Sequence, residues 1–97
     1  MILWVDDLRQ PPCGGEYCWV KSVNAAKYTI KEKGYFDYID LDHDAGDYAY
    51  DGGDYIKLLD WLEEQHMVFP IKLHTMNPVG RQNMRAIIEK NNWREIF

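Results

Sequence analysis

Short apolar runs alternate with amphipathic segments along the chain, and no other feature of the sequence restricts the fold as strongly. Runs rich in strand-forming residues lie at positions 2–5, 18–20, 38–41 and 71–75. A helical pattern follows each of the last three runs. Because parallel strands need such crossover helices, the alternation predicts an α/β domain with a parallel sheet flanked by helices.

The expected helices carry their own start and stop signals. The first begins at Ser22, a typical N-cap, and ends at Gly34. The second follows the turn at residues 51–54 and ends near Gln65. The third begins at Asn77, with Pro78 in the first helical position. Its expected inner face comprises Val79, Met84, Ile87 and Ile88.

Residues 8–17 interrupt the alternation, since two prolines and two glycines there favour a loop over a helix. A length of 97 residues predicts a single domain, residues 1–97. No apolar run is long enough for a signal peptide or a membrane span, so we expect a cytoplasmic protein without a membrane partner. In that compartment Cys13 and Cys18 are expected to be free thiols. The sequence predicts no oligomeric state.

The net charge of −5 is unevenly distributed. Residues 35–54 contain seven aspartates and no lysine or arginine, whereas residues 72–94 contain five basic residues and one glutamate. An acidic chain without a basic stripe does not favour an extended nucleic-acid groove. A phosphate-bearing small molecule or RNA end remains compatible with this charge if a divalent cation lies among the carboxylates.

Polar residues follow three of the expected strands, and the carboxyl ends of parallel strands form one edge where ligands bind. Carboxylates crowded at such an edge favour a hard divalent cation, which we expect to be Mg²⁺ or Mn²⁺. The candidate metal ligands are Asp6, Asp7 and Asp42, with Asp44 as an alternative or supporting group. Asp40, Asp47 and Asp51 are expected to cap turns and face water.

The spacing of Asp40, Asp42 and Asp44 also matches the first ligands of an EF-hand calcium loop. That loop needs glycine at its sixth position and glutamate at its twelfth, where this chain has Ala45 and Asp51. A strand instead of a helix precedes the segment, so an EF-hand is excluded.

Two histidines, His43 and His74, adjoin expected strand ends and can titrate near neutral pH. Beside a metal-held phosphate they can act as base and acid in phosphoester cleavage, with Asp42 as the third candidate catalytic residue. Either histidine can instead be a packed structural residue, and His74 can point into the core, since alternate strand residues face opposite ways.

Several residues suit a phosphate ligand. Asn77, Gly80 and Arg81 lie in the first turn of the third expected helix, where backbone N–H groups attract anions. Arg9 can serve likewise or neutralise the acidic cluster. Three tyrosines can either stack on a base or pack within a loop, namely Tyr48, Tyr50 and Tyr55.

Four motifs together resemble the cyclic-phosphate processing receiver domains, which are small relatives of response-regulator receivers. The motifs are Asp6–Arg9, Leu41–Asp44, Gly53 before a helix, and His74–Arg81, and the resemblance extends over essentially all 97 residues. It implies a compact receiver-like (flavodoxin-like) fold with a shortened first helix region and a C-terminal end truncated before a normal fifth strand.

The resemblance also assigns residues. The acidic pair of a receiver corresponds to Asp6 and Asp7, its phosphate-accepting aspartate to Asp42, and its Ser/Thr after the fourth strand to Thr75. The receiver's signalling lysine has no clear counterpart here, and the two histidines are additions to the receiver pattern.

The family's proposed role implies a metal-dependent phosphoesterase acting on a cyclic or terminal phosphate of a nucleotide or RNA end. Two alternatives stay open: a phosphoacceptor or phosphate sensor that signals without turnover, and a protein that only binds a cyclic nucleotide. Activity belongs to the site and not to the fold, so the fold does not choose between them.

Overall fold

A computed structural model covers residues 1–97 and contains five parallel strands and three helices. The strands are β1 (Ile2–Val5), β2 (Tyr17–Val20), β3 (Ile39–Leu41), β4 (Ile71–Leu73) and β5 (Glu95–Ile96). The helices are α1 (Val23–Lys33), α2 (Ile56–Glu64) and α3 (Pro78–Lys90), and a short 3₁₀ turn covers Gly46–Tyr48. The strand order is β2-β1-β3-β4-β5, which confirms the predicted α/β fold class. None of the three helices combines the length and the apolar character that a membrane span requires.

The helix ends lie where the sequence predicts them. The Ser22 hydroxyl caps α1 by accepting from the N–H of Ala25, and Gly34 ends that helix in the left-handed conformation. The Asn77 side chain caps α3 by accepting from the N–H of Gly80, with Pro78 at the first helical position. Met84 and Ile88 face the core as predicted, and Ile87 packs at its edge. The prediction for Val79 is wrong, because its side chain is 65% exposed in the first turn.

All three helices cover the same face of the sheet. The connections β2–α1–β3, β3–α2–β4 and β4–α3–β5 run in one direction across the sheet, and right-handed crossovers then place their helices on one side. The apolar core confirms this, since it joins residues of every helix to alternate strand residues such as Leu3, Ile39 and Ile71. Only the connection from β1 to β2 runs in the opposite direction across the sheet. It contains no helix and is the loop that the sequence predicts.

The opposite face of the sheet therefore has no helix. Trp4, Asp40 and Lys72 are register partners on adjacent strands and share this face. Trp4 is buried but lies outside the main core. Its indole N–H donates to the carbonyl of Arg9 at 2.7 Å, so the β1–β2 loop covers it. We call this surface the helix-free face.

The fifth strand is the element that the sequence prediction left out. It pairs with β4 through only two residues and is held from the side by α3, where Arg85 makes a bidentate contact with Glu95. The sheet therefore has a fifth strand, although this strand has only two residues.

Candidate functional site

Three predicted site residues converge at the carboxyl edge of the sheet. Asp6 follows β1, Asp42 follows β3 and His74 follows β4, and one potential ligand atom from each lies within 4.8 Å of the others. The topology brings them together because adjacent parallel strands end at the same edge.

His74 is held between two carboxylates. Its Nδ1 lies 2.6 Å from Oδ1 of Asp40 and its Nε2 lies 2.8 Å from Oδ2 of Asp6. The imidazole also stacks on Trp4, with the ring centroids 4.0 Å apart and the planes 3° from parallel. An ionised carboxylate can only accept, so the contacts with both aspartates favour the imidazolium form of the ring, in which both nitrogens donate.

The pKa of His74 reflects this environment. Burial alone lowers the pKa, but the hydrogen bonds and charges of Asp40 and Asp6 outweigh it and raise the pKa above its usual value. The residue thus faces neither the apolar core nor open water. Its side chain is 11% exposed and lies on the helix-free face, at the end close to Asp6 and Asp42.

Asp40 is the residue that the sequence analysis missed, and the prediction that it faces water is wrong. Its carboxylate is buried in the central part of the sheet and binds His74. Its position in the third strand, one residue from apolar Ile39 and Leu41, is the signal that indicated a strand carboxylate instead of a turn cap.

Asp6 owes its position to a tight turn after β1. Its Oδ1 accepts from the N–H of Leu8 at 2.9 Å and from the N–H of Arg9 at 2.8 Å. Burial raises the pKa of this carboxyl, but the two backbone donors and His74 outweigh burial and lower it. Asp6 is therefore a stable anion, with Oδ1 held by two backbone donors and Oδ2 bound to His74.

Asp7 lies at the same edge but outside the three-residue cluster. Burial raises its pKa, its own backbone N–H lowers it, and the negative charges of Asp6, Asp42 and Asp47 raise it further. Gly46 has a φ of +55°, and a side chain there would overlap with Oδ2 of Asp7. The 3₁₀ segment thus closes over Asp7 because residue 46 is a glycine.

The donor set of this edge fits a divalent cation. Asp6 and Asp42 supply carboxylate oxygens within the cluster, and Mg²⁺ and Mn²⁺ both accept such oxygens. Both nitrogens of His74 are bound to Asp6 and Asp40, so the imidazole adds no metal ligand while those bonds are made. Asp42 accepts a single protein hydrogen bond, from the N–H of His43 to its Oδ1 at 2.7 Å. Its other oxygen is available to a ligand.

His43 lies on the α3 side of the same edge. Its Nδ1 is 2.8 Å from Oδ1 of Asp44, and its Nε2 has no protein partner. The ring packs against Gly80 so closely that a Cβ at position 80 would overlap with it. Asp44, whose side chain is 64% exposed, thus partners a histidine and does not join the three-residue cluster.

The predicted phosphate-binding residues are tied to one another around β4. Thr75 is buried, and its hydroxyl accepts from the N–H of Asn77 at 3.1 Å. Arg81 donates to the carbonyl of Thr75, and Arg9 donates to the carbonyl of His74 at 3.4 Å. The Asn77 side-chain oxygen caps α3 at the N–H of Gly80, so this oxygen and the backbone N–H groups of Asn77 and Gly80 are all used within the protein.

The remaining loop residues divide into structural and exposed groups. Tyr55 is fully buried and donates to the carbonyl of Lys21 at 2.7 Å, which excludes it from base stacking. Tyr48 and Tyr50 stack on each other with centroids 6.4 Å apart, and Tyr50 is exposed. Asp51 accepts from Ser22 at 2.6 Å and so fixes the turn at residues 51–54 against α1.

Comparison with known proteins gives one match. The model of the cyclic-phosphate processing receiver domain matches residues 1–90. No curated protein and no solved structure matches the chain.

Proposed function

Because the chain belongs to the family of cyclic-phosphate processing receiver domains, we propose that it is a metal-dependent phosphoesterase acting on a cyclic or terminal phosphate of a nucleotide or RNA end. The observation that carries this proposal is the cluster of Asp6, Asp42 and His74, whose ligand atoms lie within 4.8 Å of one another. The free thiols of Cys13 and Cys18 support a reducing compartment such as the cytoplasm.

Asp6, Asp7 and Asp42 would hold the cation, which when bound neutralises phosphate charge and activates water. Arg9 contacts the carbonyl of residue 74 and would orient the phosphate beside the cation. Arg81 contacts the carbonyl of residue 75 and would bind phosphate on the α3 side of this edge.

The two histidines have different roles in this proposal. His43 has one nitrogen oriented by Asp44 and the other free, the arrangement that a group needs to move a proton to or from a substrate oxygen. His74 uses both nitrogens to hold Asp6 and Asp40, so it positions the metal-binding carboxylate and offsets its charge.

Turnover and metal binding are tested on the same preparations. We expect hydrolysis of a nucleoside 2′,3′-cyclic phosphate with Mn²⁺ or Mg²⁺ and none with EDTA. Saturating metal should also raise the melting temperature, since a ligand at 100 times its Kd stabilises the folded state by about 2.7 kcal/mol.

Asp42→Asn should abolish both the hydrolysis and the metal-induced rise in melting temperature. Asp60→Asn, in α2 and without a hydrogen-bond partner, is the matched control.

His43→Ala distinguishes catalysis from binding. We expect turnover to fall by about 10² to 10⁴-fold while the metal-induced rise in melting temperature survives. A folded variant that keeps full activity would contradict the role proposed for His43.

A second candidate function is a receiver-like phosphoacceptor. The observation that favours it is the free oxygen of Asp42, which sits after β3 with the Thr75 hydroxyl at the end of neighbouring β4. Acetyl phosphate should then add one phosphoryl group to the wild type and to His43→Ala, but not to Asp42→Asn, as seen by mass spectrometry. Labelling without hydrolysis of cyclic phosphates would favour this function over the first.

A further inference from the structure

An open groove of about 450 Å³ lies between the segment that follows β4 and one side of α3. Thr75, which lines its inner end, follows His74 directly in the chain. The outer wall comes from one side of α3. The complete lining is Thr75, Met76, Pro78, Arg81, Gln82 and Arg85.

The charged side chains that line this groove are basic, whereas those at the carboxyl edge of the sheet are acidic. Two arginines line the groove and no acidic residue does. Arg81 uses a single terminal nitrogen to bond the Thr75 carbonyl. Arg85 binds Glu95 through Nε and one terminal nitrogen, which leaves the other terminal nitrogen without a partner. Since a guanidinium has five N–H donors, both arginines retain donors for an anion.

We infer that the groove binds a second phosphate group of the substrate, one sugar away from the phosphate at the metal edge. This inference rests on the proposed function for the position of the first phosphate. A substrate that spans both places carries a negative group at each, one neutralised by the cation and the other bound by Arg81 and by the free terminal nitrogen of Arg85. The favoured substrate is therefore a nucleotide phosphorylated on both sides of its ribose, or the last nucleotide of an RNA chain, and not a nucleotide with one phosphate.

Equilibrium binding with Mn²⁺ tests the groove without any turnover. The probes are adenosine 3′-monophosphate and adenosine 3′,5′-bisphosphate, which differ only in the second phosphate. We expect the wild type to bind the bisphosphate about tenfold more tightly, the size of effect that a charge-assisted hydrogen bond gives. A dinucleotide 3′-phosphate, whose internal phosphodiester replaces the 5′-phosphate, should share the advantage if the substrate is a chain end.

Two isosteric charge changes on α3 assign the effect to the groove. Gln82→Glu places a carboxylate in the lining, whereas Asn83→Asp makes the same change at the adjacent exposed position outside it. The bisphosphate advantage should disappear in Gln82→Glu and persist in Asn83→Asp. Equal binding of the two probes by the wild type, or equal losses in both variants, would overturn the inference. Absence of hydrolysis, by contrast, would count against the phosphoesterase proposal alone.

Discussion

At the scale of single residues, two histidines beside aspartates acquire different environments. The neighbours of His74 come from β1 and β3, and they engage both of its nitrogens. His43 meets only its sequence neighbour Asp44 and the backbone of α3, so one of its nitrogens stays free. The same side chain therefore holds two carboxylates in one place and is a candidate proton carrier in the other.

The contact between His43 and Gly80 gives a direct test of this geometry. Gly80 is the third residue of α3 and lacks a positive φ, so alanine there gains up to about 1 kcal/mol of helix propensity. In the wild type the added Cβ overlaps the His43 ring, and overpacking of this kind costs about 1 to 3 kcal/mol. We expect Gly80→Ala to destabilise the wild type but to stabilise the His43→Ala variant, as measured by urea unfolding. Equal effects in both backgrounds would show that His43 does not rest on Gly80.

At the scale of secondary-structure elements, the sequence predicted the helix ends, because these depend on contacts between residues that are close in the chain. The caps at Ser22 and Asn77 and the stop at Gly34 each act within one helical turn, so the sequence was sufficient to place them. The fifth strand has two residues and no periodicity, and it forms only because β4 and α3 are already adjacent. Asp40 was missed for a similar reason: its partner His74 lies 34 residues away, and only the sheet brings them together.

The attachment of β5 to α3 depends on one ion pair. Arg85 donates to both carboxylate oxygens of Glu95, and the Glu95 side chain is largely buried. Glu95→Gln keeps the shape but removes the charge, so we expect a loss of about 1 to 2 kcal/mol in the free energy of unfolding. Glu64→Gln, at an exposed position in α2, should change it by less than about 0.5 kcal/mol. Indistinguishable urea midpoints for the two variants would mean that β5 is held by its backbone pairing alone.

At the scale of the whole molecule, the one-sided placement of the helices explains the site. A helix on the second face would cover Asp40 with apolar side chains and leave its carboxylate costly to bury. A loop covers this face instead, through the bond between Trp4 and the carbonyl of Arg9. Trp4 stacks on His74, and His74 makes the hydrogen bond to the Asp40 carboxylate. The replacement of a helix by the β1–β2 loop is therefore linked to the buried row of Asp40, His74 and Asp6.

This row predicts how the stability of the metal-free protein depends on pH. The folded pKa of His74 is raised, so its contribution is fully present below its unfolded value of about 6.5 and is lost as the pH rises through the folded value. The folded pKa of Asp6 is lowered, so its contribution is present above about 3.8 and is lost as the pH falls through the folded value. The raised pKa of Asp7 adds a small loss as the pH rises above about 3.8.

The free energy of unfolding in EDTA should therefore be greatest between about pH 4 and 6.5 and should decline toward pH 9. Asp40→Asn replaces a charged partner of His74 by a neutral amide, so it lowers the folded pKa of the imidazole and should flatten the alkaline decline. Asp60→Asn should leave that decline unchanged. Urea unfolding of the three proteins at one-unit pH intervals measures the slopes. An equally steep decline in Asp40→Asn would show that the Asp40–His74 pair does not control the alkaline side of the profile.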